Sequence, residues 1–330
     1  MPRRPIMVLK SFLGKLCVTC GLSVALTAQE QPIKANAHLV LVPATVTDKK
    51  GMLIDGLSVD DFVVTDDGVR QKVHMDTSDT VLAPVSLVVL IQSSGISTPA
   101  LQRIKLVGAM VQPVLIGARG QAAVIAYDEE VRTFQKFTSD GGKIRAAFES
   151  IEPRTIRQAK LIDAAVAGMK MLDTRPENYR RIMIVLGESR DRGSKHKLTE
   201  AIEMAQRAGV VIYSITYSAQ GEAWSSSSDN APPMPGGPDY LGGLNEIRRL
   251  GKTSDADAFA KATGGRHLSF LKLGSLEAVM SRTGEEIHSQ YLLSFVPPET
   301  KNGGLHKITV TVTKFPDAVV RARPGYWPEK

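Results

Sequence analysis

The polar residues that close the first long apolar run are the first candidates for chemistry. Val89-Leu90-Ile91 leads into Gln92-Ser93-Ser94-Gly95-Ile96-Ser97, an amide and three hydroxyls just past a strand-like segment. Such groups can ligate a hard cation, serve as a nucleophile, or hydrogen-bond a partner. A nucleophilic serine needs a base and flanking glycines that expose it. Ser94 and Ser189 both follow strand-like runs, and neither lies in Gly-x-Ser-x-Gly. His38, His74, His196, His267, His288 and His306 show no His-Glu-x-x-His spacing, and no Gly-x-Gly-x-x-Gly follows the first strand. A Gly-x-x-x-x-Gly-Lys-[Ser/Thr] loop is also missing. The expectation is therefore not an enzyme; a hydrolase with an unfamiliar constellation is the remote alternative. Arg190-Asp191-Arg192-Gly193-Ser194-Lys195-His196-Lys197 is expected as a solvated basic loop that could meet an acidic partner or a phosphate. Asp66-Asp67 and Asp255/Asp257 form no twelve-residue calcium loop, and turn and cap roles explain them better.

The elements that must position these residues fall into three textures. Residues 36–82 read as β structure: His38 to Val42 and Ala44 to Thr47, a turn at Asp48-Lys49-Lys50-Gly51, Phe62 to Thr65, a turn at Asp66-Asp67-Gly68, and a third strand from Val69 to Met75. From residue 84 to 290, strand and helix alternate. Ser86 to Ile91 is continuously apolar, as in a strand buried on both faces. A helix is predicted over 98–114, a strand over Gln121–Tyr127, and helices over Ile144–Ile151 and Leu161–Leu172. Strands at Ile182–Leu186 and Val210–Tyr217 flank a helix over Thr199–Ala208. A Ser-, Pro- and Gly-rich stretch, 218–243, is a long flexible loop. Helices follow at 245–262, stopped by Gly264-Gly265, and at Leu276–Gln290. Residues 291–330 return to β texture. This alternation predicts an α/β Rossmann-like domain, a mostly parallel sheet flanked by helices. The two terminal β segments are each too small to bury a face alone, so 291–330 is expected to pair with 36–82 as a small β-sandwich into which the α/β domain is inserted.

In an open α/β sheet ligands bind where strand C-termini meet helix N-termini, which returns attention to residues 92–97. Here the chain resembles the von Willebrand factor A family. The likeness also runs through Ala126-Tyr127-Asp128-Glu129-Glu130-Val131, Leu161-Ile162-Asp163-Ala164-Ala165 and Gly209-Val210-Val211-Ile212-Tyr213. A narrower likeness is to von Willebrand A-related proteins of acidobacteria. It rests on Val46 to Gly51, Val59-Asp60-Asp61-Phe62, Ser189 to Ser194, Ala262-Thr263-Gly264-Gly265, Gln290-Tyr291-Leu292-Leu293 and Gly325-Tyr326-Trp327. The resemblance implies Asp-x-Ser-x-Ser, with a Thr and an Asp from later loops, holding Mg²⁺ that receives a partner's carboxylate. This chain departs from that pattern. Gln92 replaces the Asp, Ser94 matches the first Ser, Ile96 stands where the second belongs, and Ser97 is one residue late. The Thr position falls at Ala159, with Thr155 as an alternative, and the last Asp position at Glu188. Mg²⁺ wants charged or strongly polar oxygens in octahedral geometry. Only Ser94 and Glu188 are surviving metal candidates, so the expectation is a degenerate site with no cofactor and no bound Mg²⁺.

Composition narrows the partners. The chain has 330 residues, 43% hydrophobic, enough for a sizeable core. Arg3, Arg4, Lys10 and Lys15 precede an apolar stretch from Leu16 to Ala28, the parts of a secretory signal over 1–28. Without those four cations the formal charge of +7 falls to +3. With 5% aromatics, that balance argues against nucleic acid. Cys17 and Cys20 both lie in the predicted signal, so no disulfide or thiolate metal site is expected in the mature chain. The sequence therefore predicts a secreted or periplasmic protein-binding or adhesion module with no stable membrane span after cleavage. Its partner would be a protein in the cell envelope or outside the cell, and its contact face would be 92–97, 155–160 and 188–196. A structural envelope component with a vestigial site is the alternative.

Overall fold

The structure is a computed structural model that describes residues 39–75, 83–94, 98–176, 178–217, 254–270, 273–298 and 304–328. The predicted signal and the 218–243 loop lie outside the described residues. Residues Ala37–Lys330 form one compact unit.

The chain begins with β1 (Val40–Thr47) and β2 (Phe62–Asp66), then two short strands, β3 (Val69–Arg70) and β4 (His74–Met75). The α/β part holds β5 (Val85–Gln92), α1 (Thr98–Val107), β6 (Gln121–Tyr127), β7 (Val131–Thr138), α2 (Gly141–Ser150), α3 (Leu161–Asp173), β8 (Arg180–Gly187), α4 (Leu198–Arg207) and β9 (Val211–Tyr217). It continues with α5 (Asp255–Thr263), β10 (His267–Phe270) and α6 (Leu273–His288). The chain then returns to β11 (Tyr291–Phe295), β12 (His306–Val312), β13 (Val319–Ala322) and β14 (Gly325–Tyr326).

Six strands form the central sheet in the order β10-β9-β8-β5-β6-β7. All pairings are parallel except β6 with β7. All eight residues of β5 are buried. Its alternate side chains feed two separate layers. Leu87, Val89 and Ile91 pack with α1, α2 and α6, whereas Val88 and Leu90 pack with α3, α4 and α5. Each fully buried aliphatic side chain there contributes about 1.5–3 kcal/mol.

The terminal segments form two four-stranded antiparallel sheets, β13-β1-β11-β4 and β14-β12-β2-β3. They share one core of Val42, Val46, Phe62, Val64, Leu293, Phe295, Ile308 and Tyr326. The segment 69–75, expected as one strand, instead serves both sheets: β3 pairs with β2, and β4 with β11. The predicted helix over 98–114 is α-helical only to Val107, then turns tighter over Gly108–Met110 and wider over Val111–Ile116. Two residues account for this. Pro113 has no N–H to give to the ladder, and a Cβ on Gly108 would lie 2.8 Å from Phe148, so the backbone rests directly on α2. β7 was missed in the sequence because Val-Arg-Thr-Phe-Gln-Lys-Phe-Thr has no apolar run; it is a half-exposed edge strand.

The sandwich meets the α/β part at the ends of its helices. Arg323 is buried and donates to the carbonyls of Gly325, Leu41 and Gln206, the last at 2.6 Å from the end of α4. Trp327 Nε1 donates to Gln206 Oε1 at 3.0 Å. Gly264 caps α5 with φ +79°, and a Cβ there would sit 2.6 Å from Arg323 N. Gly264→Ala is therefore expected to cost about 1–2 kcal/mol for the left-handed backbone plus a further packing cost. Gly56→Ala, with φ +74° and nothing within 4 Å, bears the backbone cost alone. Urea unfolding of the two variants checks this: equal losses would show that the approach of Arg323 places no constraint on Gly264.

Candidate functional site

The site sits at the carboxyl ends of β5, β6 and β8, where β5 lies between β6 and β8 and the chain reverses its winding. Three of the sequence candidates meet directly. Gln92, fully buried, donates from Nε2 to Ser94 Oγ at 2.6 Å and accepts the Glu188 N–H on Oε1 at 2.8 Å. Gly187 makes this approach possible, since a Cβ there would lie 2.7 Å from both Gln92 Cβ and the Tyr127 hydroxyl. Ala159 is buried and joins the site through its backbone, exchanging hydrogen bonds with Arg192 at 3.0 and 2.8 Å. Thr155 is exposed on the same loop, next to Arg154, which bridges to Ser94. Ser97 lies outside the described residues.

Charged residues surround the site, and it is their pairings that sequence reasoning missed. Arg192 Nη1 lies 3.0 Å from Glu188 Oε2. That oxygen is buried and makes no aligned hydrogen bond among the described residues, so the contact with Arg192 is an ion pair with off-line geometry. Asp128 is fully buried against Arg132, and it accepts from Ser93 Oγ at 2.9 Å and from the Glu130 N–H at 2.9 Å. Arg132 also donates to Ser93 Oγ at 3.1 Å. Arg154 lies over this acidic corner, 3.1 Å from Glu130 and 3.8 Å from both Asp128 and Glu129. The Tyr127 hydroxyl is buried with no hydrogen-bond partner among the described residues. Its burial, then the charges of Glu188 and Asp191, push its pKa upward, so it stays protonated. Glu188/Arg192 and Asp128/Arg132 are opposite charges four residues apart. That spacing was visible in the sequence but outside any helix, so it gave no reason to pair them.

The basic loop is anchored, not merely solvated. Asp191 Oδ1 accepts the Ile162 N–H at 3.0 Å and Ser194 Oγ accepts that of Asp163 at 3.0 Å, capping α3. Asp163 in turn accepts from the backbones of Lys195 and His196 at 3.1 Å and from the His196 ring at 2.7 Å. Ser194 also donates to Asp191, so its hydroxyl is committed to the cap and not presented to the imidazole. The loop backbone is thus fixed, while Arg192, Lys195 and Lys197 stay on the surface.

What these groups can do follows from their commitments. Gln92, Ser93 and Asp128 are used within the protein. The surface they support, Arg154, Arg157, Arg192, Lys195 and Lys197, is cationic and exposed or half-buried. It suits polar contact with a macromolecule. Glu188, the one carboxylate among the two surviving metal candidates, faces Arg192.

Residues 87–233, within the α/β part of the chain, match the von Willebrand factor type A domain. Similar solved structures include an aerotolerance-related membrane protein from Bacteroides fragilis NCTC 9343 (17% identity, TM-score 0.43, covering 61% of this chain and 98% of that one). Another is BatB from Bacteroides thetaiotaomicron (14%, 0.44, 62% and 98%). A third is the vWF domain of the type V pili tip protein Mfa5 from Porphyromonas gingivalis (11%, 0.42, 63% and 96%). No curated protein matches the chain. Among the described residues, no helix is long and apolar enough to cross a membrane.

Two measurements test the site. Gln92→Met keeps the volume but strands the Glu188 N–H and deprives Ser94 of its donor, with an expected loss of roughly 2–3 kcal/mol in chemical unfolding. A loss under about half a kcal/mol would mean that the amide bridge carries no stability. The second concerns pH. Burial alone would raise the pKa of Asp163, but the hydrogen bonds from the His196 ring and from the His196 and Lys195 backbones outweigh it, and the pKa is lowered. A carboxylate depressed in the folded state stabilises fully above its unfolded pKa and loses that contribution as pH falls through the folded value. Stability from Asp163 should therefore hold down to about pH 5 and fade below about pH 4. Asp163→Asn should flatten that part of the acid-unfolding curve, and an unchanged acid limb would count against the cap.

Proposed function

We propose that the chain is an exported, non-enzymatic protein-binding module whose contact face is the carboxyl end of the central sheet and which works without a metal. One observation carries this reading: the place where a cation would balance Glu188 is served by the protein's own Arg192, at 3.0 Å. Gln92 supports it further. Its amide is neutral, and both its carbonyl oxygen and its nitrogen are already engaged. A hard dication would have to displace Arg192 and recruit an amide oxygen already bonded to Glu188 N. Ser94 and Glu188 alone offer one formal charge. The anchored loops 154–160 and 188–197 support binding, because a fixed backbone presents its exposed side chains with little ordering cost on association. Export rests on the basic and apolar texture of residues 1–28.

The test uses the full chain. Calorimetric titration with Mg²⁺ and Mn²⁺ to millimolar concentration should give no heat and no shift in melting. The immobilised chain should capture partners from an envelope extract equally well with or without chelator. Reversing the exposed cations Lys195 and Lys197 to Glu, which leaves the Arg192–Glu188 pair in place, should abolish that capture while leaving melting within a few degrees of wild type. Capture that needs Mg²⁺, or that survives the charge reversal, would overturn the reading.

A further inference from the structure

The β-sandwich carries a second cluster, at the turn between β2 and β3. We propose that Asp66, Asp67 and His306 form a site for a single zinc-class divalent cation. One ligand atom from each residue lies within 4.8 Å of the others. His306 Nδ1 is 3.3 Å from Asp66 Oδ1 and 3.0 Å from Asp67 Oδ2. Tetrahedral zinc, with bonds to nitrogen and oxygen of about 2.0–2.1 Å, spaces its ligand atoms about 3.3 Å apart. The imidazole therefore already stands at near-coordinating separations from both carboxylates.

The donor set selects the metal. One imidazole nitrogen with two carboxylate oxygens suits zinc, whereas magnesium and calcium favour oxygen alone. Charge points the same way. Nδ1 carries at most one proton, which the two carboxylate oxygens can share only as a bifurcated bond, weaker to each than a separate one. Asp66 is 3% exposed and His306 6%, so neither can turn to water. A dication balances both carboxylates together.

The outer oxygens of the carboxylates are held by other groups. Tyr326 donates its hydroxyl to Asp66 Oδ2 at 2.8 Å, and the Lys307 N–H donates to Asp67 Oδ1 at 2.9 Å. Each carboxylate thus keeps its other oxygen facing His306, the arrangement that outer-shell partners impose on metal ligands. Asp67 is about one-third exposed, which leaves an entry path and room for water as a fourth ligand. Because β2 and β12 are 240 residues apart in the chain, a cation here would tie the N-terminal segment to the C-terminal one.

The experiment takes the full chain after chelator treatment and titrates it with Zn²⁺, with Mg²⁺ and Ca²⁺ in parallel. One equivalent of zinc should bind and raise the melting temperature, and magnesium and calcium should do neither. Co²⁺ in place of zinc should give the visible absorption of a four-coordinate site. Asp67→Asn keeps the turn, since Asn tolerates the +48° φ found at Asp67. It should weaken zinc at least tenfold and remove the cobalt bands. Tyr326→Phe leaves the ligands in place but frees Asp66, and should weaken zinc by about ten- to a hundredfold. Absence of zinc uptake, uptake unchanged in Asp67→Asn, or equal binding of magnesium would overturn the proposal and leave the trio as an ion pair only.

Discussion

The structure of the site depends on one constraint, the complete burial of β5. Strands flank it on both sides and helices cover both faces, so its last residue arrives where there is no water. Gln92, Ser93 and Ser94 are all fully buried. A buried polar group without a partner costs about 1–3 kcal/mol, so each of these must be satisfied by protein. The arrangement around them follows from that demand. Gln92 spans the gap to β8, Ser93 turns to Asp128, and the backbone of Arg154 closes onto the Ser93 carbonyl. The loops after β5, β6 and β8 are therefore coupled by necessity.

Charge follows the same logic. Asp128 is fully buried and would be intolerable alone, and Arg132 and Arg154 provide the compensation. Glu188 is balanced by Arg192, whose backbone is itself pinned to Ala159. A neutral Gln92 belongs to this scheme. A carboxylate in its place would add an uncompensated charge beside Glu188 in a low-dielectric pocket, unless a cation entered with it. Gln92 and Arg192 are thus two halves of one electrostatic solution: one removes a negative charge and the other neutralises the charge that remains.

Much of this was legible in the sequence, for definite reasons. The apolar run before Gln92 and the one before Gly187 marked two buried parallel strands. Locating their ends located Gln92, Ser94 and Glu188. Gly264 announced the end of α5 because a helix stop needs a left-handed residue. What could not be seen depends on contacts with no sequence period. Arg192 looked like part of a solvated run because nothing local reveals that Asp191, Ser194 and Asp163 fix its backbone. β7 lacks a hydrophobic face of its own, so only its neighbour β6 identifies it. Asp66-Asp67 looked like an ordinary turn, since His306 enters from a strand near the far end of the chain. The irregular stretch after Val107 shows the opposite failure: apolar spacing suggested one helix, while Gly108 and Pro113 carried the evidence against it.

The position of the sandwich distinguishes the two ends of the sheet. Its contacts fall on Gln206 near the end of α4, on Gly264 at the end of α5 and on Glu286 near the end of α6, where Arg321 pairs with it. In a parallel α/β unit the helix C-termini lie at the end of the sheet where strands begin. Arg175 and Arg180 close that same end, bonding to Ser86, Gln121 and the Ala83 carbonyl. Both terminal segments therefore gather at the strand-start end and bury it. Among the described residues, the strand-finish end, carrying the anchored loops and their cations, is spared these contacts. The proposed contact face is thus the end of the sheet that the described terminal β segments leave to the loops after β5, β6 and β8.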